Sequence, residues 1–128
     1  MIKGLVILLS AALCASGADK KRKPPDVEVT DAAGRRSEGS VTIEGHVRNT
    51  GEKPIKGMVL LFDFMASGRA VITTQKIALD DEILEPGKES AFRVQTTDPV
   101  RAVEFKLNAV DESGRDLRVA KAGPFPIE

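Results

Sequence analysis

The chain contains neither tryptophan nor tyrosine, and its aromatic residues are five phenylalanines. Binding sites for sugars and for nucleic-acid bases commonly stack the ligand on exposed aromatic rings. Most of the phenylalanines fall at positions that the hydrophobic pattern assigns to a core. The composition therefore argues against a sugar-binding or base-stacking module.

Histidine and cysteine are almost absent, with one residue of each in the sequence. Nucleophilic catalysis needs a positioned base, commonly histidine, and zinc or copper sites need several converging ligands. His46 alternates with Glu44 and Arg48 on the polar side of a predicted strand, so we expect a solvated imidazole rather than a ligand or a general base. The serines lie near turns, without a catalytic motif around them. We predict that the protein is not an enzyme and has no cofactor and no metal site.

Two groups of acidic residues are further candidates, one for a metal site and one for an acid catalyst. Asp80, Asp81 and Glu82 are consecutive, which does not match the alternating spacing of a calcium loop. We expect a solvated acidic loop, with a metal site of oxygen ligands as the alternative. Asp63, at the apparent end of a strand, is expected to accept a hydrogen bond from a turn amide rather than to act as an acid.

A strong charge of one sign is missing as well, since 19 basic and 19 acidic residues give a formal net charge of zero. Nucleic-acid binding usually requires a clustered positive excess, so we predict no nucleic-acid partner. One basic run, residues 20–23, precedes Pro24 and Pro25. We expect a solvated spacer there, with an electrostatic tether to an anionic envelope surface as the alternative.

A long apolar run occurs only at the N-terminus. Lys3, the apolar stretch 4–13 and the small residues 15–18 have the charge, length and cleavage pattern of a secretory signal. The stretch is too short to span a bilayer, which takes roughly 20 apolar residues. We predict a helical signal peptide over residues 1–18, a basic and proline-containing linker over 19–26 and a domain over 27–128, exported to the periplasm or the extracellular space.

Cys14 raises the alternative that this segment is processed as a lipoprotein signal. Lipoprotein processing modifies a cysteine that follows a small residue, whereas Leu13 precedes Cys14. We expect the cysteine to be discarded with the signal, which leaves the mature domain without disulfides. Lipidation at Cys14 is the alternative, and it would make the protein an outer-membrane lipoprotein. A membrane is predicted as a partner only in that case.

The domain itself alternates apolar and polar residues from Val27 onward, without a helical period. Val41, Ile43 and Val47, for example, share one face of a predicted half-buried strand. Turn residues separate the alternating runs. The pattern predicts an all-β fold, an immunoglobulin-like antiparallel β-sandwich of about seven strands.

A spaced pattern of residues over about 40–95 consists of Gly45, Val47, Asn49, Pro54, the segment 59–63, Gly68, Leu84, Pro86, Gly87 and Phe92. It resembles the FxLYD family of small immunoglobulin-like domains of exported bacterial proteins. Val59 and Phe62 stand where the naming motif has its phenylalanine and its tyrosine. The resemblance implies a sandwich and export, and it implies no reaction, since such domains look like adhesive or accessory modules.

The predicted strand that contains this motif runs from about Ile55 to Phe64 and is apolar on both sides. Its even set consists of Met58, Leu60, Phe62 and Phe64, and its odd set of Val59, Leu61 and Asp63. The family pattern suggests that the odd set faces inward, which would leave the even set as an exposed docking or self-association surface. In the alternative, the even set faces the core or is covered by residues 69–83 or by the tail with Phe125.

These observations together favour a non-catalytic, exported interaction or accessory module. We expect it to bind a protein partner through a strand edge or through the even set, and a weak homodimer is compatible with such a surface. One alternative is an envelope-anchored lipoprotein with a structural or assembly role. Another is a binder of a metal or small ligand that uses His46 or the acidic residues 80–82.

Overall fold

The computed structural model describes residues 24–128, and all regular structure in this range is β. The predicted signal peptide, Cys14 and residues 19–23 of the predicted linker lie outside it. No described residue belongs to a helix that could cross a membrane. The strands are β1 (Val27–Ser37), β2 (Ser40–Asn49), β3 (Ile55–Lys56), β4 (Val59–Met65), β5 (Val71–Ala78), β6 (Ile83–Leu84), β7 (Glu89–Thr97), β8 (Glu104–Val110), β9 (Val119–Ala120) and β10 (Phe125–Pro126).

The strands form two four-stranded sheets and a short ribbon. The first sheet has the order β7-β2-β1-β9, the second has the order β10-β8-β4-β5, and β3 pairs with β6. The pairs within the sheets are antiparallel, except that β9 runs parallel to β1. This confirms the predicted all-β, immunoglobulin-like sandwich. The predicted strand from Ile55 onward is divided into β3 and β4 by Gly57, whose φ is 55°, and four of the ten strands have only two residues.

The core lies between the two sheets and is built from alternate residues of the long strands. Val41, Ile43 and Val47 of β2 are fully buried, as their alternation predicts. Phe62 of β4 meets Phe92 of β7 across the core, with ring centroids 5.6 Å apart. Removal of these apolar side chains from water supplies the main driving force for the two sheets to associate.

Strand β4 buries its even set, so the predicted docking surface of Met58, Leu60, Phe62 and Phe64 is wrong. Each of these four side chains is at most 1% exposed. The odd set, which the family pattern placed inward, points away from the core and is half-buried. Because successive side chains alternate between faces, an error of one residue in phase exchanges the two sets completely.

The neighbours of β4 explain why its outer face is also apolar. β4 lies between β5 and β8, with Ala78 and Val110 directly beside Val59. Flanking side chains on both sides leave the outer residues of a central strand only half-exposed. Asp63 lies on this outer face, where its two carboxylate oxygens accept hydrogen bonds from Thr74 at 2.7 Å and from Asn108 at 2.9 Å. Asp63 therefore bonds to side chains of the two neighbouring strands, and the predicted hydrogen bond from a turn amide is wrong.

Residues 125–128, the closing segment, join the two sheets along one side of the sandwich. β10 pairs with β8, and the Phe125 ring stacks on Phe105 at 5.2 Å. Beyond β10, the Glu128 amide donates to the Gly34 carbonyl at 3.0 Å, and the Arg36 amide donates to the Glu128 carbonyl at 2.8 Å. The same few residues thus bond to the second sheet and to the first.

Gly45 of β2 lies beside a bulge of β1, where there is no room for a side chain. A β-bulge interrupts the pairing of β1 with β2 between Val29 and Asp31. A Cβ atom on Gly45 would lie 2.2 Å from the Asp31 carbonyl oxygen and 2.6 Å from the Phe92 ring. Only a residue without a side chain fits between the bulged strand and the core.

Asn49 fixes the loop that follows β2. Its side chain is fully buried, and its Nδ2 donates at 2.8 Å to the carbonyls of both Lys53 and Leu84. Its Oδ1 accepts a hydrogen bond from the Gly51 amide at 2.9 Å. One side chain therefore ties the loop to the ribbon of β3 and β6.

Replacing Asn49 by alanine is expected to lower the free energy of unfolding by about 2 to 4 kcal/mol, because buried carbonyls lose their donors. Urea denaturation measures the change. Asn108→Ala is the matched control, since its side-chain bond to Asp63 is exposed and should contribute less than about 1 kcal/mol. Equal losses in the two variants would contradict the structural role given to Asn49.

Candidate interaction surface

The side of the sandwich opposite the closing segment is open. β5 ends the second sheet and β7 ends the first, and within residues 24–128 neither has a strand neighbour on its outer side. A strand edge presents a row of backbone amides and carbonyls that can pair with another strand. These two edges are therefore the surfaces to compare.

The direction of the free groups on β5 follows from its pairing with β4. The Leu79 amide donates to the Met58 carbonyl at 3.1 Å, and the register continues without a break from Val59↔Ala78 to Phe64↔Thr73. In an antiparallel pair every second residue exchanges hydrogen bonds with its partner. Thr74, Lys76 and Ala78 are the intervening residues, so their amides and carbonyls point away from β4, on the side where residues 24–128 supply no neighbouring strand.

The side chains of the β5 edge are weakly protected against such pairing. Val71 is 56% exposed and Ile72 is 42% exposed, and Lys76 is the one charged residue of the strand. Natural proteins usually protect free edges with charges, prolines or bulges. β5 has a bulge near Val71 and one lysine, but its apolar residues remain in contact with water.

The β7 edge differs in its side chains. The Asn49 amide donates to the Lys88 carbonyl at 3.0 Å, and the same alternation leaves the odd-numbered residues of β7 with free backbone groups. Glu89 and Arg93 are among them, and Arg93 forms an ion pair with Glu44 at 3.1 Å. Charges therefore cover the β7 edge, whereas β5 exposes large apolar residues.

A cleft separates the two edges where the sheets diverge. It has a volume of about 260 Å³, and Ile77 and Leu79 line it on the β5 side, while Ala91 and Phe92 line it on the β7 side. Ile77 is only partly buried and packs against the core from this side. A strand added to β5 would turn alternate side chains toward this cleft.

His46 lies on the outer face of the first sheet, as its alternation predicts, but it is not isolated. Its Nδ1 lies 3.0 Å from the Asp31 carboxylate, which the bulge in β1 brings opposite it. The hydrogen bond to Asp31 holds the pKa of His46 above its ordinary value, and the charges of Asp31 and Glu89 act in the same direction. Both side chains of the pair are well exposed, so the pair belongs to the surface.

The contribution of this pair to stability should decline as the pH rises. Because the folded state raises the pKa of His46, the contribution is complete below the unfolded pKa of about 6.5 and disappears as the pH passes the folded pKa. Denaturation of the protein and of its His46→Gln variant across this range should show a difference that is larger at low pH. A difference independent of pH would contradict the assignment, and Asp31→Asn should reproduce the effect of His46→Gln.

The acidic residues 80–82 do not converge on a common point. Asp81 accepts a hydrogen bond from the Ser90 hydroxyl at 2.7 Å, and the Glu82 carbonyl accepts one from the Gly57 amide at 2.8 Å. No group of three potential metal-ligating side chains occurs among residues 24–128. The segment connects β5 to β6 and holds the start of β7 in place.

Two adjoining grooves lie at the end of the sandwich where the chain enters the domain. They have volumes of about 400 and 460 Å³ and share Lys53, Pro54, Ile55 and Arg115 in their walls. Both charge signs occur along them, and Arg115 is paired with Asp111 at 3.3 Å. Nothing in the lining selects a particular ligand.

Sequence reasoning named a strand edge as a surface without identifying which one. The pattern of β5 contains a signal, because its inward-facing positions include Thr73 and Gln75, where a central strand would have large apolar residues. Polar residues on the inner face indicate a strand at the margin of the core. The pairing of His46 with Asp31 has no comparable local signal.

No family model matches the chain, and no curated protein matches it. The resemblance to FxLYD domains therefore stays a prediction. Among solved structures, the chain is similar to a calcium-binding mutant of β-glucuronidase 2 from Bacteroides uniformis, with a TM-score of 0.55 and 13% identity over 74% of this chain. It spans only 14% of the length of that enzyme.

Two smaller proteins give comparable matches. IrmA from Escherichia coli has a TM-score of 0.51 and 10% identity, with coverage of 80% of this chain and 95% of that one. The structural genomics target SoR45 has a TM-score of 0.51 and 13% identity, with coverage of 80% and 86%. At these identities the similarity shows the fold alone. The chain is an immunoglobulin-like β-sandwich that resembles both whole small proteins and one part of much larger ones.

Proposed function

We propose that the protein is a non-catalytic, exported interaction module that binds a protein partner by strand addition at the β5 edge. The observation that carries the proposal is the edge itself, with outward backbone groups at Thr74, Lys76 and Ala78 beside exposed Val71 and Ile72. Backbone pairing at such an edge supplies affinity, and pockets for alternate side chains supply specificity.

Strand addition would remove the apolar side chains of β5 from water. A chain paired with β5 covers Val71 and Ile72 from the side, and its inward residues enter the cleft beside Ile77 and Phe92. Each apolar residue covered in this way contributes in proportion to the area removed from water. The charged β7 edge offers no comparable gain, so the partner surface is assigned to β5.

Of the two binding surfaces predicted from the sequence, a strand edge and the even set, the strand edge is kept, and the predicted class of function is unchanged. The sequence pattern of a secretory signal supports export. An envelope-anchored role depends on lipidation of Cys14, which lies outside the described residues. Partition of the processed protein into membranes, lost on Cys14→Ser, would support that alternative.

Selection from a display library of random ten-residue peptides tests the proposal on the purified chain. Lys76→Pro removes one outward amide without removing a bond of the β4–β5 pair. We expect the selected peptides to lose at least about tenfold in affinity on Lys76→Pro. Lys76→Ala, which removes the charge and keeps the amide, should have a smaller effect.

Arg93→Pro is the matched control, because it removes an outward amide from the β7 edge. Peptides that bind to β5 should tolerate this change. Peptides that lose affinity on Arg93→Pro and not on Lys76→Pro would move the surface to β7. A library that yields no strand-edge binder would contradict the proposal.

A further inference from the structure

We infer that a second copy of this chain occupies the β5 edge, so that two molecules share one continuous eight-stranded sheet. This inference rests on the proposed function and names its partner. The two β5 strands would run antiparallel about a two-fold axis at Gln75. The order of the shared sheet would be β10-β8-β4-β5 followed by the same strands of the second copy in reverse.

The register follows from the backbone directions of β5. Two strands can exchange hydrogen bonds only through residues that both point outward, which on β5 are Thr74, Lys76 and Ala78. A two-fold axis at Gln75 places Thr74 of each copy opposite Lys76 of the other. The two Thr74–Lys76 pairs are hydrogen-bonded pairs. Between them, Gln75 of one copy faces Gln75 of the other in a non-hydrogen-bonded pair.

Other two-fold centres on β5 are less favourable. An axis at Lys76 would set two ammonium groups directly opposite each other, which is destabilising. An axis at Thr74 would place Lys76 opposite the apolar Ile72. The axis at Gln75 avoids both conflicts and brings Ile72 beside Ala78 of the second copy. It also overlaps almost the whole length of β5, Val71–Ala78.

Charge at the two ends of β5 supports the antiparallel arrangement. Arg69 precedes the strand, where it pairs with Glu104 at 3.5 Å while its side chain stays 65% exposed. Asp80 and Asp81 follow the strand, and both residues are exposed. Antiparallel pairing brings the start of each strand to the end of the other, so that the basic end of one copy lies near the acidic end of the second copy. The same surface is therefore complementary to itself in charge, which an isologous interface requires.

A single cysteine at the axis provides a direct test, because only a residue on a two-fold axis meets its own copy. The experiment uses the full chain with Cys14→Ser, purified after export from an expression host. In a non-hydrogen-bonded antiparallel pair the Cα atoms are about 4.5 Å apart, within the range that a disulfide spans. Gln75→Cys should form a disulfide-linked dimer on mild oxidation.

Thr73→Cys and Ile77→Cys are the matched controls, since both also face the core side of β5. Neither should cross-link alone, because each lies opposite the other residue of the second copy. An equimolar mixture of these two variants should cross-link. Light scattering over a concentration series should show a dimer of the Cys14→Ser chain that Lys76→Pro weakens at least about tenfold.

The outcomes separate this inference from the proposed function. A chain that stays monomeric over its soluble range overturns the inference. If that monomer binds library peptides in a way sensitive to Lys76→Pro, the proposed function stands with another occupant. Cross-linking of Thr73→Cys alone would overturn the register. A dimer indifferent to Lys76→Pro would overturn the assignment to β5.

Discussion

Replacing Phe62 by glutamate is expected to leave the chain unfolded at room temperature. Phe62 is fully buried against Phe92, and loss of a buried phenylalanine alone costs about 3 to 5 kcal/mol. A carboxylate without a partner in that position adds several kcal/mol more. The total approaches the whole stability of a typical domain, about 5 to 15 kcal/mol. Far-ultraviolet circular dichroism and urea titration measure the outcome.

Leu61→Glu is the control for this prediction, since it makes a similar change one residue away on the same strand. Leu61 lies on the outer face of β4 directly opposite Lys76, so the new carboxylate meets solvent and a positive charge. We expect this variant to fold, with a free energy of unfolding within about 1 kcal/mol of the unsubstituted chain. A folded Phe62→Glu variant would return the even set to the surface and contradict the observed phase of β4.

Gly45→Ala is expected to lower the free energy of unfolding by at least about 4 kcal/mol, a loss outside the usual range for a single methyl group. The added carbon would lie 2.2 Å from the Asp31 carbonyl oxygen and 2.9 Å from the Ala32 Cα. Both contacts are with backbone, which cannot rotate away as a side chain could. The bulge in β1 or the packing of Phe92 must therefore change.

Gly51→Ala separates this steric effect from the general consequence of replacing glycine. A Cβ atom at Gly51 would meet nothing closer than 3.5 Å. The free energy of unfolding of Gly51→Ala should therefore stay within about 1 kcal/mol of that of the unsubstituted chain, and the substitution also lowers the entropy of the unfolded chain. Guanidinium denaturation of both variants measures the difference. A small loss for Gly45→Ala would mean that the two strands can separate at little cost.

The inward-facing residues of strands that bury one face were predictable, because apolar and polar residues alternate along those strands. In β2 the buried Val41 and Ile43 are separated by the polar Thr42, and only one phase satisfies that alternation. β4 has no such contrast, since Leu60 and Leu61 are equally apolar. Its phase is decided by the strands on either side of it, which are distant in sequence.

The candidate surface was predictable in kind but not in place. A strand has a free edge when no other strand pairs with one of its two sides. The sheet order decides this, and the local sequence does not contain the sheet order. Thr73 and Gln75 indicate a strand at the margin of the core, but they do not indicate which strand lies beside it. In the same way, His46 meets Asp31 because a bulge shifts the hairpin register, and no motif marks that residue pair.

The position of the closing segment also sets the order in which the fold can be completed. Residues 125–128 are made after every other part of the domain, yet their amides and carbonyls join Gly34 and Arg36 in its first strand. Contacts between such distant parts of a chain slow folding, because closing the long intervening loop costs conformational entropy before the contacts stabilise it. In a chain that emerges N-terminus first, the bonds by which the closing segment joins the two sheets are therefore the last to form, after all the longer strands have been made.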